Sequence, residues 1–123
     1  MKILIPYEPP NWNEYIKLER SNKYGANALK QKEKAIVKAY AKGKVYTGNY
    51  PVEITFTAHY SDFRRDLDNT RIKGILDGLV ACKTLKNDNL RHIAKITILP
   101  KIDDWKGIEI EIKEYKEKWA IRN

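Results

Sequence analysis

The sequence predicts a single α+β domain, a small mixed β-sheet of about four strands packed with two main helices. Three observations carry this. Val52, Ile54, Phe56, Ala58 and Tyr60 alternate with Glu53, Thr55, Thr57 and His59, the period of a half-buried strand. Ile108, Ile110 and Ile112 alternate in the same way with Glu109, Glu111 and Lys113. Between them, Ile72, Ile75, Leu76, Leu79 and Val80 recur at i, i+3, i+4, i+7 and i+8, the spacing of a helix with one buried face. A chain of 123 residues suits one domain, and no repeat or compositional break divides 1–123.

Taken in order, residues 2–5 read as a short strand. Pro6, Pro9 and Pro10 then break the chain, and a loop is expected to run to about Ser21. Trp12, Tyr15 and Tyr24 stand there among Asn13, Arg20 and Lys23. Aromatics among cations can stack on bases and neutralise phosphates; they can equally pin a loop to the core, the reading favoured for Trp12. Residues 26–42 have helical composition, with Leu29, Lys32, Ile36 and Ala39 near one stripe and Gly43 as the stop. Residues 48–51 form a loop before the strand at Val52. A helix of about four turns follows from Asn69, and Lys83 to Asn89 is a loop. Ile93, Ile96 and Ile98 suggest a third strand, Asp103 and Asp104 a turn, and Ile108 to Ile112 the fourth strand.

Composition narrows the function classes. No run approaches the roughly 18 apolar residues of a membrane span. The start, Met1 to Pro6, lacks the apolar stretch and cleavage site of a signal peptide. Cys82 is the only cysteine, so no internal disulfide forms; a cytoplasmic setting fits, and a packed or idle thiol is expected. The net charge is +8. Nine Lys/Arg between Lys17 and Lys44 face only Glu19 and Glu33, which leaves +7 of that excess in one segment. Such one-sidedness is the footprint of a polyanion binder, or else a solvated helix face. From Lys101 onward the charges balance, six against six.

The chemistry concentrates between Arg64 and Asp88. Asp66 and Asp68 sit two apart at a strand-to-helix junction beside Asn69, Lys73 and Asp77 follow, and Asp88 returns after the helix. Residues two apart in an extended segment point the same way. Magnesium takes hard oxygen ligands, usually one or two carboxylates plus substrate phosphate. If Asp66, Asp68 and Asp88 converge, a metal there can polarise a phosphodiester and activate water, with Lys73 stabilising charge on the phosphate. The plainer alternative makes Asp68 an N-cap, Lys73–Asp77 a helix-surface pair and Asp88 a turn residue. Asp66 weighs against it, as a second anion among Arg64, Arg65 and Arg71. His59 and His92 lack a zinc-ligand pattern and are expected to be structural or exposed.

The run Arg64-Arg65-Asp66-Leu67-Asp68-Asn69, with Lys73, Leu76-Asp77-Gly78-Leu79 and Asp88, resembles the RusA family of Holliday junction resolvases, small bacterial and prophage endodeoxyribonucleases. An early strand, Pro9, Pro10 and Asn13, and the basic helix extend the likeness over most of the chain. The resemblance implies a magnesium-dependent homodimer, manganese being a substitute metal, that nicks a four-way junction symmetrically. It makes Asp66, Asp68 and Asp88 the essential acids and Lys73 the essential lysine. Asn69 and Asp77 shape the site. Arg64 and Arg65 are the DNA contacts it implies, with Asn69, Arg71, Lys23 and Lys30 as further candidates.

Two positions depart from the pattern. Three residues (Thr70, Arg71, Ile72) separate Asn69 from Lys73 where the family commonly has two, so the helix start must absorb one, and Arg71 is a candidate substitute for the lysine. Asn87-Asp88 stands where the family usually has two acids, so one negative charge is gone and weaker metal binding is expected. These departures motivate a rival expectation, a non-catalytic module that binds branched DNA. A nuclease for flaps or other branched DNA is a third.

Overall fold

The structure is a computed structural model, and it describes residues 1–117. Strand β1 (Lys2–Ile5) leads to helices α1 (Trp12–Ser21) and α2 (Lys23–Ala41), then to strand β2 (Val52–Tyr60). A single 3-10 turn (Leu67–Asn69) precedes α3 (Lys73–Ala81), and β3 (Ile93–Ile102) and β4 (Gly107–Glu114) complete the domain. The four strands form one mixed sheet in the order β1-β4-β2-β3. β4 runs antiparallel to both β1 and β2, and β3 runs parallel to β2. A parallel pair needs a long crossover, and here α3 supplies it. None of the described helices is long and apolar enough to cross a membrane.

The alternation that announced β2 and β4 is the register of the core. Ile3, Ile110, Phe56 and Ile98 lie in one row across the sheet, and Ile5, Ile108, Ala58 and Pro100 in the next but one. Ile3, Ile5, Ile54, Phe56, Ile110 and Ile112 are wholly buried, packed with Val37 and Ala41 of α2 and Ile75 and Leu79 of α3. Each such side chain contributes about 1.5–3 kcal/mol when buried. The opposite face is polar and carries the Lys2–Glu109 and Lys113–Glu53 ion pairs at 3.5 and 3.1 Å.

Three local expectations are corrected. The stretch expected to be a loop contains α1, capped by the Asn11 side chain, which accepts from the Glu14 N–H at 2.8 Å. Asn22 then ends one helix and starts the next: its own N–H donates to Leu18 O, and its side chain accepts from Gly25 N–H. The buried positions of α2 are Ala26, Glu33, Val37 and Ala41, so Lys32 and Ala39 of the expected stripe are exposed, and Leu29 and Ile36 flank the contact. The third helix has nine residues rather than four turns, because residues 69–72 are not α-helical. Asp68 is not its N-cap; Ile72 holds that position without a side-chain cap. Gly43 does end α2, at φ 81°, the left-handed conformation glycine adopts most cheaply.

Candidate functional site

Lys73 opens α3, and its Nζ donates to Asp77 Oδ1 at 2.8 Å, one turn further along the helix. After α3 the chain turns back and brings Asp88 Oδ2 to 3.8 Å from the same ammonium. The hydrogen bond to Asp77 is the main cause holding the Lys73 pKa above its ordinary value, against the opposing effect of partial burial. Lys73 is therefore a charged ammonium between two carboxylates. Asn87 shapes the Asp88 loop, since its side-chain oxygen accepts from the N–H groups of Asp88 and Asn89 at 2.7 and 3.3 Å.

Asp66 and Asp68 make no hydrogen bond or ion pair to this cluster among the described residues. Asp66 caps the 3-10 turn in extended conformation without a side-chain cap bond, and Asp68 lies within the turn. Both are exposed, and neither carboxylate is hydrogen-bonded or ion-paired among the described residues. Asp66 lines a small cavity with Glu8, Asn11, His59, Arg65 and Asn69. The donor atoms of Asp66, Asp68 and Asp88 are the hard oxygens magnesium accepts. Yet among the described residues no group of three or more His, Cys, Asp or Glu is arranged to hold a metal ion. The structure thus brings Lys73, Asp77 and Asp88 together and does not join Asp66 and Asp68 to them.

The arginines expected at the DNA are engaged with carboxylates. Arg65 pairs with Glu8 at 2.9 Å and reaches Glu14 at 3.8 Å. Arg64 clasps Asp62 through its backbone N–H, Nε and Nη2, and this i, i+2 clasp leaves Phe63 at the tip of the loop, 87% exposed. Arg71 is buried, which corrects its assignment as a DNA contact and as a substitute for Lys73. Its guanidinium makes a two-pronged pair with the buried Glu33 and stacks on Tyr15, 4.4 Å from the ring centre. Asn69 is half-buried, its N–H donating to Asp66 O.

Glu33 was hidden in the sequence among lysines. Burial of an unpaired carboxylate is prohibitive, so a buried Glu demands a partner. Here it has two, Arg71 and the Tyr7 hydroxyl, which donates to Oε2 at 3.0 Å. Its carboxylate lies over Gly74, where a Cβ would collide with it. One helical turn on, a Cβ at Gly78 would meet Val37 Cβ at 2.7 Å. The two glycines let α3 approach α2 closely, and that approach positions Lys73.

His59, His92 and Cys82 are held by contacts within the fold. His59 is buried on the polar sheet face, its Nδ1 donating to Asp103 Oδ2 at 2.8 Å and its ring edge-on to Trp105. His92 is held by Asn89 and packs edge-on to Tyr50. Cys82 is half-buried, with Sγ 3.3 Å from Thr84 Oγ1. Lys23 and Lys30 are exposed and share a surface depression with Tyr24.

No family model matches the chain, and no curated protein does.

Proposed function

We propose that the protein is a structure-selective DNA endonuclease of the RusA kind, resolving four-way junctions by paired symmetric nicks in recombination and repair. The observation that carries this reading is the meeting of Lys73 with Asp88, 15 positions apart in the sequence, at 3.8 Å and with Asp77 on the same ammonium. A charged lysine held by carboxylates beside a basic helix suits a phosphodiester, whose developing negative charge it can stabilise. Two-fold symmetry would present two such sites to two strands, so a homodimer is part of the proposal. Magnesium, with manganese as substitute, is the proposed cofactor and Asp66, Asp68 and Asp88 its proposed ligands; these carboxylates are not assembled around one point in this structure. A cytoplasmic location in a bacterium, with the gene bacterial or phage-borne, accompanies this reading.

The deciding experiment is a cleavage assay on a synthetic four-way junction, with and without magnesium, beside linear duplex of the same sequence. Symmetric nicks on the junction alone, abolished by Asp68→Asn with junction binding retained, are the expected result. Undiminished cutting by that variant would refute the site assignment. The separation of Asp66 and Asp68 from Asp88, together with Asn87, favours a second reading: a non-catalytic module that binds branched DNA. Tight binding without nicks in magnesium or manganese would select it. Cutting of flaps in preference to junctions would instead make the protein a flap or branched-DNA nuclease.

A further inference from the structure

Most cations near the motif are already balanced. Arg64, Arg65, Arg71 and Lys73 all have carboxylate partners. Lys30 and Lys34 differ: neither ammonium lies within ion-pair distance of a carboxylate among the described residues. They are one turn apart on α2, and side chains spaced i, i+4 share a helix face. Both line a cleft of about 270 Å³ whose other walls are Trp12, Tyr15, Arg71, Lys73, Gly74 and Asp77. Lys30 is held beside the Tyr15 ring, 5.9 Å from its centre, and its interaction with Tyr15 is the main cause raising its pKa. It therefore stays charged. Trp12 stands edge-on to Tyr15 at 6.1 Å and keeps 36% of its surface exposed.

We propose that this cleft is a binding subsite for one unpaired nucleotide of branched DNA, its phosphate held by Lys30 and Lys34 and its base against Trp12. The volume lies just below the roughly 300–1,000 Å³ of pockets that enclose a free small molecule, which suits one unit of a longer strand. Aromatic stacking beside a cationic track is how single strands are held without sequence preference. Lys73 and Asp77 also line the cleft, so the subsite adjoins the proposed catalytic cluster and would feed a strand to it. The inference rests on the reading of the protein as a branched-DNA enzyme, and it concerns binding, so it can be tested apart from cleavage.

The test is equilibrium binding in EDTA to an oligothymidylate single strand, a blunt duplex of equal phosphate number and a four-way junction, with cleavage in magnesium measured separately. Lys30→Gln/Lys34→Gln should weaken single-strand binding about tenfold, and Trp12→Ala should do likewise while Trp12→Phe retains most of it. The control is Lys42→Gln/Lys44→Gln, which removes equal charge from the exposed stretch just past the C-terminal end of α2. If both lysine pairs weaken binding equally, or Trp12→Ala has no effect in a variant that unfolds like the wild type, the subsite is overturned. Cleft-specific loss of binding in a protein that never cuts DNA would uphold the subsite and overturn the nuclease reading. Normal junction cutting with no cleft-specific loss would do the reverse.

Discussion

Arg71 and Glu33 form a buried, two-pronged ion pair that ties the lead-in of α3 to the middle of α2. Their side chains are 2% and 0% exposed, and Arg71 Nη1 donates to Glu33 Oε2 at 2.8 Å. A buried pair is dear to form but dearer to break, because the survivor is an uncompensated charge. Glu33→Ala should cost about 3–5 kcal/mol of unfolding free energy in urea. Replacing both partners together, Glu33→Leu with Arg71→Met, should recover much of that loss. A loss under about 1 kcal/mol for Glu33→Ala would mean the guanidinium finds water or another partner, and that the pair does not lock the helices.

The same cluster sets a pH response. Burial first, and then the negative charge of Glu33, push the Tyr7 pKa well above its ordinary value. An unfolded chain releases the tyrosine proton near pH 10, and the folded protein does not. The folded state thus binds more protons above that pH, so stability is full below about pH 10 and falls as pH rises towards the folded value. Absorbance titration of tyrosinate should show Tyr7 among the eight tyrosines resisting ionisation until the protein unfolds, and Tyr7→Phe should remove its share of that late step. If Tyr7→Phe leaves the titration curve unchanged, Tyr7 is not held protonated in the folded state.

Close approach of α3 to α2 can be tested at Gly78. A Cβ there would lie 2.7 Å from Val37 Cβ, closer than side chains tolerate. Gly78→Ala gains helix propensity of about 1 kcal/mol, yet overpacking costs about 1–3 kcal/mol, so a net loss is expected. Val37→Ala removes Cγ1 and Cγ2, two of the three close atoms, and keeps Cβ, so it relieves part of the overpacking and the double variant should be more stable than the sum of the two single losses predicts. Strict additivity in the double-mutant cycle would show that the two residues do not meet as described.

Whatever buries one face of a regular element was legible in the sequence. β2 and β4 pack one side against helices and show the other to solvent, so their period of two is visible, and α3 shows its buried face as a period of 3.6. Helix α1 escaped because it buries only Tyr15 and so writes no period. Glu33 escaped because it sits in a run of lysines and looks like part of a solvated surface; only the fold shows that Arg71, 38 positions away, neutralises it. The motif spacing foresaw the Lys73–Asp77 pair, which is local, and the return of Asp88 to Lys73, which a short loop after α3 allows. Asp66 and Asp68 stand on a 3-10 turn ahead of the helix that carries Lys73, not on its first turn. Arg71 looked like a DNA contact because formal charge is visible in a sequence and burial is not.

Lys73 separates chemistry from packing. Its side chain is more than half exposed, so its bonds to Asp77 and Asp88 contribute at most a few tenths of a kcal/mol to stability after solvent screening. Lys73→Ala should therefore fold normally. If the ammonium stabilises charge on a phosphodiester, the same variant should lose about 10²–10³-fold in junction cleavage, the usual cost of removing one such donor. Asp77→Asn removes the nearest partner but leaves the ammonium in place, so its loss of rate should be smaller than that of Lys73→Ala. The two variants should bind junctions alike, since one phosphate contact among many moves the salt dependence by about one unit of slope. Single-turnover cleavage beside binding at two salt concentrations reads both quantities. Wild-type cutting by Lys73→Ala would remove the lysine from the chemistry, and equal losses in both variants would make Asp77 more than a holder of the lysine.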